Sequence, residues 1–236
     1  MIMGAGMLLP CLLFVVGLVV IIFLVIRNNK LAEQRRQSIA GLAQARGWTY
    51  VQRDDAWSER FNVAPFQQGH NRQAHNIIAG QFEGRGFVAM DYLYYTTEHS
   101  TDSDGNSRSS EVAHPYGVVV LNTGANFPPL SVTPEGFFGR FIGRLTNTDI
   151  ELESEDFNRM FTVTSDSRRF ASDLLHPQMM ELLMQEPHFA FCFDGPSIMS
   201  SRPGASEIPE ITARLAMLDA IIDRVPEHVW RNLKGE

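Results

Sequence analysis

The chain has 236 residues, 44% of them hydrophobic, and a formal net charge of −7 at neutral pH. All 27 acidic and 20 basic side chains lie in residues 27–236, which therefore carry the whole net charge. An acidic domain argues against nucleic-acid binding, which usually requires a basic surface. The charged part is long enough for one large or two small domains with a hydrophobic core.

The first element, residues 1–26, has no charged side chain and is almost continuously apolar from Met7 to Ile26. About 20 such residues cross the hydrocarbon core of a bilayer as a helix. No basic residue precedes this run, and no small-residue cleavage pattern follows it. We therefore expect an uncleaved transmembrane anchor and not a signal peptide.

The residues that flank the anchor predict its orientation. Only Glu33 opposes the basic side chains at its C-terminal end, which are Arg27, Lys30, Arg35 and Arg36. Basic flanks stay on the cytoplasmic side of a membrane. Cys192 is the one cysteine after the anchor, so the soluble part needs no oxidising compartment for an internal disulfide. The sequence predicts a single-pass cell-membrane protein with its N-terminus outside and its C-terminal domain in the cytoplasm.

Residues 27–47 predict a juxtamembrane helix that continues the membrane span. The segment is rich in good helix formers, and it has a partial apolar stripe made of Leu31, Ala32, Ile39 and Leu42. Gly47 is a plausible residue to end it, because glycine readily adopts the left-handed conformation found after a helix.

Residues 48–146 predict a β-rich first half of the soluble part. A short strand at 48–51 and a capped turn at 54–61 precede two β-rich runs, 73–82 and 87–97, joined by a hairpin signal at 83–86. Apolar residues occupy both faces of the second run, which indicates a strand covered on both sides. We further expect a polar, flexible hairpin tip at 98–113, a strand at 116–121, a turn at Pro128 and Pro129, and a helix from Pro134 to Leu145.

Residues 147–236 predict an α+β second half. The patterns indicate strands at 150–152 and 161–164, helices at 168–175 and 178–185, a hairpin around 194–196 and an amphipathic helix at 208–225. Strands followed by helices, twice over, are typical of an α+β fold. We expect antiparallel sheets with helices packed against them, in an arrangement compatible with two related halves.

One stretch, residues 156–200, resembles the bacterial domain-of-unknown-function family 3137. The pattern consists of Phe157, Phe161, Val163, Asp166, Ala171, Leu174, Leu175, Pro177 and the run from Met180 to Leu183. The chain is also similar to uncharacterised actinobacterial single-span membrane proteins through the sequences GWTYV, FVAMDY, VTPEG and ELESEDFNR. The resemblance implies a membrane-anchored soluble domain, and it carries over no catalytic residue.

The sequence predicts no cofactor and no metal site. It has none of the H-E-x-x-H, C-x-x-C, G-x-S-x-G or Walker A motifs. His70 and His75 are spaced to lie on opposite faces of a strand. The acidic cluster at 149–156 is typical of a solvated strand face. Asp102, Asp104 and Asn106 depart from calcium-loop spacing, because Gly105 comes before the position that the loop requires for glycine.

The segment 136–145 is the most suggestive candidate site. On a helix its apolar side chains share one side and two arginines flank them, so it predicts an interfacial helix on the inner leaflet. The alternative is an ordinary core helix with glycines that permit close packing. The predicted membrane-contact residues are Phe137, Phe138, Arg140, Phe141 and Arg144.

These patterns favour a cytosol-facing binding or scaffolding module, with the lipid bilayer and a membrane or cytosolic protein as partners and with no nucleic acid. The tether raises the effective concentration of the domain near other membrane components. One alternative is an enzyme without a local motif, in which Asp91, set in an apolar strand, is the first suspect. The other is a domain that contacts inner-leaflet lipids. No oligomeric state is predicted.

Overall fold

The structure, a computed structural model, describes residues 5–101, 107–136 and 150–234. Within these ranges the helices are α1 (Ala5–Ala45), α2 (Glu155–Met160), α3 (Arg168–Leu174), α4 (Pro177–Met184), α5 (Ile208–Asp223) and α6 (Glu227–Lys234), with a 3₁₀ helix at Asp55–Glu59. The strands are β1 (Thr49–Arg53), β2 (His70–Phe82), β3 (Arg85–Thr101), β4 (Ser107–Pro134), β5 (Phe161–Ser165) and β6 (Phe191–Pro203).

The strands form one antiparallel six-stranded sheet. Its order is β1-β2-β3-β4-β5, and β6 pairs with the other edge of β4. Strand β4 pairs first with β3 and then with β5, while β6 follows it on the far side. Strands from both predicted halves, 48–146 and 147–236, thus belong to one sheet. The predicted α+β fold, an apolar helix followed by an antiparallel sheet with helices packed on it, is confirmed.

Helix α1 is continuous from Ala5 to Ala45, as the predicted extension of the membrane span requires. In the described part of the chain it is the one helix long and apolar enough to cross a membrane, and its apolar window is not buried within the protein. The helix ends in a Schellman motif, because Trp48 N–H donates to Ala43 O (2.8 Å), Gly47 N–H donates to Gln44 O (3.2 Å) and Gly47 has a φ of 67°. Ile39 and Ala43 are buried, whereas Leu31 of the predicted stripe is exposed.

One face of the sheet is covered by helices. The C-terminal end of α1 and helices α2 to α6 bury their apolar side chains there against residues of β2 to β6. The predicted apolar face of α5 is confirmed, because Ile211, Leu215, Leu218 and Ile222 are all buried. This is the larger of the two cores and holds the helices in place.

The other face is covered by an irregular segment, residues 54–69, which we call the strap. Phe61 and Phe66 of the strap pack with ring centroids 4.9 Å apart, and Phe66 lies 4.5 Å from Tyr92 of β3. Val88, Met90, Tyr92 and Tyr94 belong to this second core, while Phe87 and Ala89 belong to the first. Strand β3 is therefore covered on both faces, as predicted.

The predicted polar hairpin tip at 98–113 is too long, because its described residues are paired strands. Strands β3 and β4 pair without interruption from Phe87 and Leu121 to Thr101 and Ser107. Backbone pairing in a two-stranded ribbon does not require apolar side chains, so the polar composition hid the strands. The calcium-loop positions Asp102, Asp104 and Asn106 lie outside the described residues.

The predicted turn at Pro128 and Pro129 is also wrong, because β4 runs through both prolines to Pro134. Register shifts on either side of Phe127 accommodate them, and bulges are where a strand tolerates a residue without an N–H group. Pro134 does not begin a helix, since it pairs with Phe161 of β5. The rest of that predicted helix, residues 137–145, lies outside the described residues.

Three predictions in the second half need correction. The segment 194–196 is not a hairpin, because β6 continues through it and Gly195, with a φ of 57°, lies opposite Phe127 at the irregularity in β4. Residues 150–152 form no strand, although Ile150 N–H donates to Val163 O at 2.9 Å. The C-terminal tail forms α6, whose Trp230 meets Phe127 edge to face at 5.1 Å.

Candidate functional site

The membrane helix is attached to the sheet by a charged contact. The guanidinium of Arg35 donates to both carboxylate oxygens of Asp91, at 2.5 and 2.9 Å, and to Ser206 O at 2.7 Å. Asn76 Nδ2 donates to the same carboxylate at 2.7 Å. Burial lowers the pKa of Arg35, but its hydrogen bonds and the charge of Asp91 outweigh that effect and raise it. The pair is a fixed link between α1 and β3.

A second arginine attaches α5 at the same place. Arg214 is 7% exposed and donates to Ser206 Oγ (2.9 Å), Gly117 O (3.0 Å), Ser200 Oγ (3.3 Å) and Ser200 O. Burial lowers its pKa to about 9, so the guanidinium stays charged at neutral pH. Among the described residues no carboxylate forms a salt bridge with Arg214, and Glu210 pairs with Arg202 instead. Carbonyl and hydroxyl oxygens therefore supply the hydrogen-bond acceptors of this buried cation.

Together Arg35, Asp91, Ser206 and Arg214 form what we call the clamp. Gly117 is directly opposite Asp91 in the ladder, and a Cβ atom there would overlap Ser206 Oγ. The glycine therefore permits the close approach of the chain that precedes α5. The clamp joins α1, the sheet and α5 at a single point.

The clamp shows how helix α1 and strand β3 run relative to each other. Arg35 contacts Asp91, while thirteen residues later the Trp48 ring lies 4.7 Å from Phe87. Helix α1 and strand β3 therefore run side by side in opposite directions. Arg27 precedes Arg35 by about 12 Å along the helix, and Tyr94 follows Asp91 by about 10 Å along the strand. Tyr94 thus lies close to the level of Arg27, the first charged residue after the apolar run.

A cavity of about 360 Å³ opens at the end of the sheet nearest Arg27, and we call it the proximal cavity. Tyr94 stacks between His114 (4.8 Å) and Tyr116 (6.0 Å), with ring planes within 17° of parallel. The hydroxyl of Tyr94 donates to Gln68 Oε1 at 2.7 Å. The described lining has no carboxylate, ammonium or guanidinium, and it consists of Gln68, Tyr94, Ala113, His114, Pro115, Tyr116, Pro203 and Gly204.

Beyond the proximal cavity, β3 and β4 continue as a two-stranded ribbon, residues 96–101 and 107–112. The β2 pairing ends at His70 and Tyr95, and the β6 ladder ends at Gly117 and Arg202. The ribbon therefore projects past the other strands, and its side chains are mostly exposed. Six more residues extend the ribbon by about 20 Å beyond the other strands.

A second cavity, of about 450 Å³, lies between the strap and the sheet, and we call it the strap cavity. The guanidinium of Arg60 sits 4.0 Å above the ring of Trp57, and that ring stacks on Phe61 at 6.5 Å. The lining is formed by Trp57, Arg60, Phe61, Ala79, Gly80, Gly86, Phe87, Val88, Val120, Asn122 and Ser197. It is mainly apolar, with a few polar groups, as in many small-molecule sites.

Among the described residues, four buried hydroxyl groups have no hydrogen-bond partner. They belong to Tyr92, Ser131, Thr164 and Ser201. Tyr92 is in the strap-side core, and the others alternate along their strands with Leu130, Val163 and Ser200, which face the helices. All four therefore point to the strap side of the sheet. Burial also raises the pKa of the Tyr92 phenol.

The predicted membrane-contact residues Phe137, Phe138, Arg140, Phe141 and Arg144 lie outside the described residues. Their described neighbours are Glu135, whose N–H donates to Met160 O, and Ile150, which bonds Val163. Both neighbours are at the end of the sheet opposite the ribbon. The predicted contact stays a prediction.

The other sequence candidates have structural partners. Asp91 is held by Arg35 and Asn76 and lines neither cavity. The described part of the acidic cluster is mainly exposed, and Glu155 and Asp156 pair with Arg159. No group of three or more metal-binding side chains occurs among residues 5–101, 107–136 and 150–234.

Sequence reasoning missed the clamp and both cavities. The signal for the clamp was present, because Asp91 interrupts an apolar strand and Arg35 lies one turn before Ile39 on the buried side of α1. Arg60 gave no signal, since only folding places the strap over the sheet.

No protein-family model matches the chain, and no curated protein matches it. Its fold is similar to the crystal structure of the mycobacterial trehalose monomycolate transport factor A, TtfA. The two share 16% sequence identity with a TM-score of 0.59, over 81% of this chain and 94% of that one. The likeness shows a common fold.

Proposed function

We propose that this chain is a membrane-anchored binding module that holds the ribbon end of its sheet against the bilayer and engages lipid head groups there. The observation that carries the proposal is the ion pair of Arg35 and Asp91, which fixes the domain about 12 Å from the start of the membrane span. A flexible tether would leave the orientation of the domain open, whereas a continuous helix with a clamp sets it.

The proximal cavity supports a lipid as the ligand. It lies at the head-group level and offers the amide of Gln68 and the rings of Tyr94 and His114. Tyrosine is favoured at the membrane interface because its ring is apolar and its hydroxyl is polar. A lining without cationic groups favours an uncharged polar head group over a phosphate alone. TtfA is named as a transport factor for trehalose monomycolate, which agrees with a lipid-related role for this fold.

Two further parts of the proposal rest on the sequence. The basic flank at Arg27, Lys30 and Arg36 supports a cytoplasmic location of the domain. The pattern in residues 156–200 supports membership of the bacterial domain-of-unknown-function family 3137.

The proximity of the ribbon to the bilayer is testable with spin labels on the full-length protein in nanodiscs. One label replaces Ser109 on the ribbon, and the control label replaces Asn232 on α6, which is exposed at the opposite end of the sheet. Cys192 is buried and Cys11 is replaced by alanine. A nickel-chelating lipid is expected to increase the relaxation of the label at position 109 only. Equal relaxation at the two positions would refute the proposal.

A protein scaffold is the second candidate, and the exposed ribbon favours it. Glu98 and Glu111 lie on neighbouring rungs of the ladder, opposite Ser110 and Thr97, and both are exposed. Affinity purification from the native membrane tests this candidate. A stoichiometric protein partner that is lost when both residues are changed to lysine would support it, and a partner retained by that variant would exclude the ribbon as its site.

A further inference from the structure

The strap cavity has the chemistry of a binding site that is separate from the proximal cavity. We propose that it binds a single-chain amphiphile with an anionic head group, such as a long-chain fatty acid, after this molecule has left the bilayer. The proposal goes beyond the head-group contact at the ribbon, because it concerns different residues and a ligand that is no longer part of the membrane.

The walls of the strap cavity suit an apolar chain. Trp57 and Phe61 of the strap face Val88 and Val120 of the sheet across a volume of about 450 Å³. Cavities of about 300–1,000 Å³ are usual for small-molecule ligands. Burying methylene groups against such walls stabilises a complex by about 0.8 kcal/mol each.

Two glycines form part of the lining, and only one of them borders open space. A Cβ atom at Gly80 would overlap the indole of Trp48, so that space is already filled. A Cβ atom at Gly86 would meet nothing within 4 Å. Gly86 is exposed, so this side of the cavity is open to solvent and admits additional atoms.

Arg60 supplies a positive charge at the wall. Its guanidinium lies over Trp57, and among the described residues no carboxylate forms a salt bridge with it. The neighbouring carboxylates have other partners, because Glu59 pairs with Arg72 at 3.1 Å and Asp194 accepts the N–H of Asn62 at 2.9 Å. The Arg60 side chain is exposed, and its guanidinium can pair with the carboxylate or phosphate of a ligand.

The distance of the strap cavity from the membrane span indicates a ligand that has left the bilayer. Val88 lies three residues beyond Asp91, away from the membrane, which places the cavity about 20 Å from the start of the membrane span. A lipid with two chains must expose twice as many methylene groups to travel this distance as a lipid with one chain. The distance therefore favours a single chain.

Photolabelling of the full-length protein in phosphatidylcholine nanodiscs tests the proposal. The probe is a palmitic acid that carries a diazirine near its methyl end, and labelled residues are identified by mass spectrometry. We expect labels on Trp57, Phe61 or Val88. Labels confined to the membrane segment of α1 would overturn the proposal.

Two comparison probes carry the same diazirine and separate the chemical requirements. Hexadecanol lacks the anionic group, so we expect it to label the cavity about tenfold less, as for the loss of a charged hydrogen bond. A phosphatidylcholine labelled in one chain reports on lipids that stay in the bilayer, and it should not label the cavity. Equal labelling by either comparison probe would overturn the proposal.

Three variants test the residues. Arg60→Gln should reduce labelling by palmitic acid about tenfold without changing labelling by hexadecanol. Gly86→Leu fills the open side and should abolish labelling, whereas Gly41→Leu, an equally unobstructed glycine on α1, should leave it unchanged. Unchanged labelling in Gly86→Leu, at an unchanged thermal midpoint, would contradict the site. The outcome is independent of the spin-label experiment, so either proposal can fail alone.

Discussion

Arg35 and Asp91 connect the membrane helix to the middle of the sheet through two parallel hydrogen bonds, of 2.5 and 2.9 Å. Both side chains are largely shielded from solvent, and bidentate geometry makes such a pair stronger and more directional than an exposed one. The connection does not depend on it alone, because Ile39 and Ala43 are buried in the core one and two turns further along α1.

Removal of the Arg35 side chain should destabilise the protein and loosen the helix. In Arg35→Leu we expect the free energy of unfolding to fall by about 2 kcal/mol, because the Asp91 carboxylate then retains only the neutral amide of Asn76 as a side-chain donor. Urea unfolding of the detergent-solubilised protein measures this change. The control is Arg36→Leu, whose partner Glu33 lies on the same helix and whose loss should cost at most about 0.5 kcal/mol. Equal effects of the two substitutions would contradict the special role of Arg35.

Loss of the Arg214 guanidinium should lower the stability of the protein strongly. Arg214→Met keeps most of the side-chain volume but leaves Gly117 O, Ser200 O and Ser206 Oγ without their donor. We expect a loss of about 3 kcal/mol, since each unsatisfied buried group costs about 1–3 kcal/mol. Thermal unfolding is the measurement. Arg224→Met, which removes an exposed bond to Ala220 O, is the matched control and should change little.

The two glycines of the β2–β3 hairpin region should respond differently to alanine. Gly80→Ala would push the indole of Trp48 out of its place beside Phe87, at a cost of about 1–3 kcal/mol for overpacking. Gly86→Ala meets no atom and should leave stability within about 0.5 kcal/mol. Tryptophan fluorescence, together with chemical unfolding, reports both effects. An unchanged emission spectrum in Gly80→Ala would show that Trp48 does not occupy this position.

His75 should make stability depend on pH on the acidic side of neutrality. Burial, and then the charge of Arg53, lower its pKa below the ordinary value of 6.5. The folded state therefore favours the neutral imidazole, and the stability that results is fully present above pH 6.5 and is lost as the pH falls through the lower, folded pKa. Thermal midpoints between pH 5 and 7.5 test this, and His75→Gln should flatten that part of the profile. The same substitution at His99 of the ribbon is the control.

Local sequence signals predicted the elements that depend on local chemistry. Gly47 marked the end of α1, and the hairpin at Glu83 and Gly84, both with positive φ, followed from its turn residues. The buried face of α5 followed from its spacing. Signals of the same kind failed at Pro128 and Gly195, because pairing with a long neighbouring strand converts a turn signal into a bulge.

The candidate sites depended on contacts between distant residues and were not predictable in this way. Arg35 and Asp91 are 56 residues apart, and Arg214 meets Gly117 across 97 residues. The strap cavity exists only because residues 54–69 fold over a sheet whose other strands come later in the chain. Composition indicated that Asp91 was unusual in its strand, but it could not indicate which cation met it.

The unbroken helix between Ile26 and the clamp also sets a rotational phase. Each residue of α1 rotates the chain by about 100° about the helix axis. The rotation of the membrane segment about this axis therefore sets the direction in which the strap cavity opens. An insertion of a single residue between Arg27 and Arg35 would turn the whole domain by more than a quarter of a circle without altering any contact inside it. The helix thus sets the rotation of the domain about the helix axis as well as its distance from the membrane segment.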